Sequence, residues 1–136
     1  MAKTHQLYRE DRCRVLGVDS SSMGEPIVKR YREMGLNVNG ITFTLNSKDD
    51  MMTNLRSLLQ GAKSGVAPYL VMPRSGNLVD ELKAQLKEQE RLLGASERPH
   101  YSHPQGRHDD LLWALAIACY VGRDWLTSHH FVVRLY

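Results

Sequence analysis

Short apolar runs along this chain alternate with longer stretches in which apolar residues return every three or four positions. Residues 13–18, CRVLGV, read as a short buried strand ending at Asp19. The SSSMGEP that follows is turn and cap chemistry, with Ser22 and Glu25 at capping-box spacing. A helix is predicted from there to about Met34, stopped by Gly35. Residues 38–44, VNGITFT, alternate and are rich in β-branched side chains, the mark of a second strand. Ser47 is placed to cap a further helix through MMTNLRSLLQ to Gly61, with Met51, Leu55, Leu58 and Leu59 on one face. APYLVMP, bounded by prolines, predicts a third strand. NLVDELKAQLKEQERLLG predicts an amphipathic helix with Leu78, Leu82, Leu86 and Leu93 inward. HYSHPQGR is strand or loop, and HDDLLWALAIACY opens the last long helix, with Leu111, Ala114, Leu115 and Ala118 along one stripe. FVVRLY in the tail predicts one more strand.

Strands alternating with helices imply parallel pairing in a layered α/β domain. The 136 residues, 42% hydrophobic and 24% charged, suit a single domain spanning 1–136. A net charge of +3 and a pI near 9.0 are compatible with a polyanionic partner without requiring one. Cys13 and Cys119 make neither a disulfide framework nor a metal motif, which fits a reducing compartment. The N-terminal MAKTHQLYRED lacks a signal peptide's apolar stretch, and the longest apolar run, Leu111 to Val121, is short of the roughly 20 residues a membrane span needs. A cytoplasmic protein without membrane attachment is expected. No G-x-x-x-x-G-K-[ST] occurs, so no ATP site is expected.

Candidate chemistry gathers on carboxylates. In an α/β sheet, sites form beyond the C-terminal ends of the strands, where Asp19 sits. Taken alone, Asp19 reads as a cap or a partner for the serine-rich turn. One aspartate at the start of the last helix is explained by capping and the helix dipole. The second of the pair, Asp109–Asp110, is not, and two adjacent acids repel unless a cation neutralises them. If the last helix packs on the first strand, Asp19 converges with the pair, an arrangement of hard oxygen ligands that suits Mg²⁺ or Mn²⁺.

VLGVDSSSMGEPIVKRYREMGLNVNGITFTLNSKDDMMTNL, followed by HPQGRHDDLLWALAIACY, resembles the second half of the nuclease domain of phage terminase large subunits. The shared features are an aspartate closing a strand before a glycine-containing turn, a GITFT…SK strand and turn, and a histidine–aspartate–aspartate opening of an alanine-rich last helix. The resemblance covers roughly residues 13–122. It implies a ribonuclease H-like fold, a partial mixed or parallel sheet flanked by helices, and metal-dependent endonucleolytic cleavage of double-stranded DNA during viral packaging. Asp19 matches the family's second catalytic carboxylate, and Asp109 or Asp110 the last. His108 belongs to the motif as an orienting neighbour, and Lys48 sits at a matching lysine, where a phosphate contact competes with an ordinary exposed helix-start lysine. The family's first catalytic aspartate lies on a strand that would precede residue 13, and the ATPase motor is absent. Two alternatives follow: a catalytically incomplete remnant acting as an oligomeric DNA-binding or structural protein, and a junction-resolving nuclease, which shares the fold. A strand at 13–18 without its partner would leave an unpaired apolar edge, so a homodimer or higher oligomer is expected.

Other features carry less. His100, His103 and His108 have zinc-like spacing but no cysteine, and His129 and His130 read as surface residues. Lys29, Arg30 and Arg32 are expected on one helix face with Tyr31 between them, a solvated surface or a track for a DNA backbone. Cys13 and Cys119 read as small core residues, and Trp113 and Trp125 as core or interface aromatics.

Overall fold

In a computed structural model of the protein the residues described are 1–22, 24–67, 70–95, 108–125 and 131–132, with the backbone alone described for 91–95 and 131–132. The elements run α1 (Ala2–Glu10), β1 (Leu16–Asp19), α2 (Gly24–Glu33), β2 (Val38–Ile41), α3 (Leu45–Ser64), β3 (Leu70–Val71), α4 (Asn77–Ala95), α5 (Asp110–Gly122), a 3-10 turn (Arg123–Trp125) and β4 (Phe131–Val132). The fold is mixed α/β, with a short parallel sheet flanked by helices. β1 pairs parallel with β2 in the register Leu16↔Val38 to Asp19↔Ile41, and β3 pairs parallel with β4 in a separate two-stranded sheet.

The β1–β2 sheet divides two apolar layers. On one side Val28, Tyr31, Leu36 and Val38 pack with Leu16, Val18 and Tyr8, so α2 and α1 cover that face. On the other, Ile41 and Val15 join the larger core of α3, α4 and α5, built on Met51, Leu55, Leu82, Leu112 and Ile117. The N-terminal segment, which the sequence leaves unassigned, is a helix tied down by Tyr8. The Tyr8 hydroxyl donates to the Arg14 carbonyl at 3.3 Å and accepts from the Asn37 amide at 3.4 Å.

Several local expectations shift. β2 ends at Ile41 because Thr44 leaves the strand to cap α3. Its hydroxyl accepts from the Ser47 amide at 3.1 Å while the Ser47 hydroxyl accepts from the Thr44 amide at 2.9 Å. The helix therefore starts before Ser47, which is the box partner, not the cap. At its other end α3 runs past Gly61 to Gly65, whose φ of 69° closes it in the left-handed conformation. Met52 is buried where Leu59 is only half-buried. In α4 Leu82 is buried and Leu86 packs against the core as expected, but Leu78 is exposed, its place taken by Val79, and Gln89 is buried as well; Leu93 lies outside the described side chains.

The stripe on α5 is also reassigned. Leu112, Trp113, Leu115, Ala116, Ile117, Cys119 and Val121 are buried, whereas Ala114 and Ala118 are exposed. Close packing of α5 on the sheet comes from the strand instead. A Cβ on Gly17 would lie 2.3 Å from Ile117 Cγ2, so only glycine lets the helix sit where it does. Cys119 is a core residue as expected, but Cys13 is exposed, and Trp125 is exposed where Trp113 is buried.

Candidate functional site

β1 ends at Asp19, and the chain turns at once into the start of α2. Asp19 Oδ1 accepts from the Ser21 amide at 2.9 Å and from the Ser21 hydroxyl. The Ser21 hydroxyl in turn accepts from the Phe43 amide at 2.7 Å, tying the loop after β1 to the loop after β2. This turn is as tight as a backbone permits, since a Cβ on Gly24 would meet the Asp19 carbonyl oxygen at 2.0 Å. The serine turn is thus one real role of Asp19. It occupies Oδ1 and leaves the carboxylate exposed at the sheet's C-terminal rim.

A cavity of about 780 Å³ runs from this rim along β1. All four residues of β1 line it, together with Ile27 and Tyr31 from one covering layer and Trp113, Ala114 and Ile117 from the other. Residues from both faces and from every position of the strand place the cavity along its outer edge. The Leu16 amide donates to the Asn37 carbonyl and the Ser20 amide to the Ile41 carbonyl, each at 2.9 Å. Strand alternation therefore turns the Gly17 amide and carbonyl away from β2, toward the cavity that Gly17 lines.

Asp19, Asp109, Asp110 and Lys48 all line that cavity, which places the acid of β1 and the acids of α5 on one space. The two acids of α5 differ. Asp109 occupies the N-cap position of the helix, and its Oδ2 accepts from the Trp113 indole Nε1–H at 2.8 Å, one turn on. Asp110, the first residue of α5, is exposed to the cavity. α2, α3 and α5 all begin at this end of the β1–β2 sheet, and their dipoles favour negative charge here.

Lys48 is half-buried, unlike an ordinary helix-start lysine. Its Nζ sits 5.3 Å from the centroid of Phe43 and 5.0 Å from that of Trp113, and the two rings are 5.2 Å apart. The aromatic contacts hold the ammonium at the cavity wall, and cations over rings gain about 0.5–2 kcal/mol depending on desolvation. Neither Phe43 nor Trp113 stood out in the sequence as part of the site. The spacing of Trp113 one turn after Asp109 was the available signal.

The remaining candidates lie elsewhere. Lys29, Arg30 and Arg32 are exposed on α2 away from the cavity, while Tyr31 points inward and lines it, so no tyrosine interleaves the charges. Arg30 pairs with Glu33 at 4.0 Å, and Arg32 donates to the Val38 carbonyl at 3.3 Å. His108 is exposed beside the start of α5, and it is not a lining residue. His100, His103, His129 and His130 fall outside the described residues.

Among the described residues no group of three or more His, Cys, Asp or Glu side chains is drawn close enough to hold a metal ion. The donor set is still that of a hard cation: exposed carboxylate oxygens on Asp19 and Asp110, at the mouth of one cavity. Mg²⁺ commonly needs only one or two carboxylates, its remaining positions going to water and substrate phosphate. Among the described residues no helix is long and apolar enough to cross a membrane. No family model, curated protein or solved structure matches this chain.

Proposed function

We propose that this chain carries part of a metal-dependent DNA endonuclease site of the terminase type, on a ribonuclease H-like fragment. The observation that carries the reading is the placement of Asp19, Asp109, Asp110 and Lys48 on one cavity at the C-terminal rim of a parallel sheet. Asp19 and Asp110, both exposed, would hold Mg²⁺ or Mn²⁺, with Asp109 accepting from the Trp113 indole beside them. A bound divalent ion supplies a water activated for attack and neutralises charge building on the phosphate. Asp109 fixes the pitch of α5 at its first turn and so aims Asp110. Lys48, its ammonium over the Trp113 ring, presents that charge to a backbone phosphate. Lys29, Arg30 and Arg32 would meet the duplex farther out, through salt-sensitive contacts alone.

Plasmid nicking in Mg²⁺, Mn²⁺ and chelator tests this. Metal-dependent nicking is expected in the wild type, lost in Asp19→Asn and Asp110→Asn and retained in part in Asp109→Asn. Nicking indifferent to Asp19→Asn and Asp110→Asn refutes the reading, and a preference for branched DNA would move it to the junction-resolving class.

A second reading, an oligomeric binding or structural protein, is favoured by the outer edge of β1, which no strand covers among the described residues. In that case the edge takes another copy of the chain. Light scattering at micromolar concentration would then give a multiple of 15.5 kDa, and a monomeric mass excludes it.

A further inference from the structure

At the opposite end of β1 and α5 from the acids lies a surface that the proposed cleavage site does not use. Trp125, in the turn that ends α5, is 53% exposed, an unusual position for the largest apolar side chain. The Arg14 guanidinium lies over its ring, 5.4 Å from the centroid. One turn back, the Arg123 guanidinium lies 3.7 Å from the Tyr120 centroid and donates to the Tyr120 carbonyl. Arg12, two residues before Arg14, is exposed at the tip of the turn between α1 and β1 and has a φ of 51°. Two arginines, an exposed indole and a tyrosine thus meet where α5 ends and β1 begins, with the exposed Arg12 two residues away along the chain. Asp124, 81% exposed, stands 3.9 Å from Arg123 and offsets only part of that charge.

We infer that this surface is a stacking platform for single-stranded nucleic acid, with an unpaired base on the open face of Trp125 and the flanking phosphates on Arg12, Arg14 and Arg123. An indole backed by a guanidinium on one side presents its other side to any planar π system, and arginine supplies the planar forked donors that phosphate oxygens accept. A duplex keeps its bases stacked inside and offers nothing to an exposed indole, which selects the single strand. Between this platform and Asp110, the open side of α5 carries Ala114, Ala118 and Gly122. α5 has 13 residues, about 20 Å of helix. A strand seated on Trp125 can therefore lie close along α5 toward the acid cavity. The platform goes beyond the cleavage reading and does not depend on it, because its residues are separate from the acids.

The test is fluorescence anisotropy with a labelled oligothymidylate, run in chelator so that no cleavage enters. The wild type is expected to bind, more weakly as salt rises, and to prefer the oligothymidylate over a duplex of equal length. Its tryptophan emission should be quenched on binding. Trp125→Ala should weaken binding about ten-fold or more, as loss of one base stack does, while Trp125→Phe retains most of it. Arg14→Ala and Arg123→Ala should each weaken binding and flatten its salt dependence. All of these side chains are exposed, so circular dichroism should show the fold intact in each variant. The inference is overturned if no binding appears up to about 100 μM, the weak end of non-specific association, if Trp125→Ala binds like the wild type, or if duplex is bound equally well. Binding that survives when nicking is absent would sink the cleavage reading alone.

Discussion

Gly17 holds β1 and α5 together, and replacing it with alanine is a direct test of the architecture that aligns the acids. The added Cβ would stand 2.3 Å from Ile117 Cγ2 and 3.1 and 3.3 Å from the two γ-carbons of Val121. Carbon atoms rest about 3.5–4.0 Å apart, so the helix has to withdraw by roughly 1 Å at that level. Both neighbours are β-branched and stiff at χ1, so they have little freedom to swing aside. Overpacking of this kind costs about 1–3 kcal/mol. Gly17 is not among the glycines at positive φ, so alanine also gains about 0.4–1 kcal/mol by restricting the unfolded chain. The balance is a destabilisation of about 1–2 kcal/mol, a large share of a typical 5–15 kcal/mol. Urea unfolding followed by circular dichroism should show a lower midpoint at unchanged slope. Ile117→Ala removes the clashing carbon and by itself costs about 2–5 kcal/mol. The double variant should therefore be more stable than the sum of the single effects by about 1 kcal/mol or more. A Gly17→Ala protein as stable as the wild type, or strict additivity with Ile117→Ala, would refute the close approach. Because α5 carries Asp110 and β1 carries Asp19, the same substitution should depress any metal-dependent nicking.

The remaining expectations are more compact. Gly24→Ala meets backbone at the Asp19 carbonyl, which cannot rotate away, and should lose more stability than Gly17→Ala under the same urea assay. Asp109→Ala leaves the buried Trp113 indole N–H without its acceptor, at a cost of about 1–3 kcal/mol; Asp109→Asn, which keeps an acceptor, should recover much of it in thermal unfolding. Burial pushes the Cys119 thiol from near 9.0 up to about 12. The folded protein therefore keeps that proton to higher pH than the unfolded chain, and stability should be intact below about pH 9 and fall as pH rises from there toward 12. Cys13 is raised by desolvation and by the neighbouring Asp11, so a thiol reagent should label exposed Cys13 slowly at neutral pH and Cys119 only on unfolding.

The element order of the central part was legible because period-two and period-3.6 patterns alternate without ambiguity between 13 and 64. Asp19 at a strand end and Asp109–Asp110 at a helix start were legible for the same reason, since each is set by local patterning. What escaped depends on tertiary context. The exposure of Ala114 and Ala118 follows from which side of α5 Gly17 receives, and no periodicity within the helix encodes that. In α4 Gln85 Oε1 accepts from the Leu112 amide at the start of α5 and Gln89 is buried, so polar residues take inward positions that a leucine count passes over. The distinction between Asp109 and Asp110 likewise needs the indole of Trp113, and the aromatic seat of Lys48 joins residues 65 positions apart.

Among the described residues β1 has a neighbour on one side only, and its backbone groups alternate between the two sides. Amide hydrogen exchange converts that geometry into a residue-by-residue signature. The Leu16 and Ser20 amides, donating to Asn37 and Ile41, should exchange slowly, and the Gly17 and Asp19 amides between them quickly, although all belong to the same few residues of chain. The slowest amides should then lie not in any strand but in the buried turns of α5. In exchange terms the sheet is a veneer on a helical body, and anything that seats itself along β1 will announce its register by silencing every second amide.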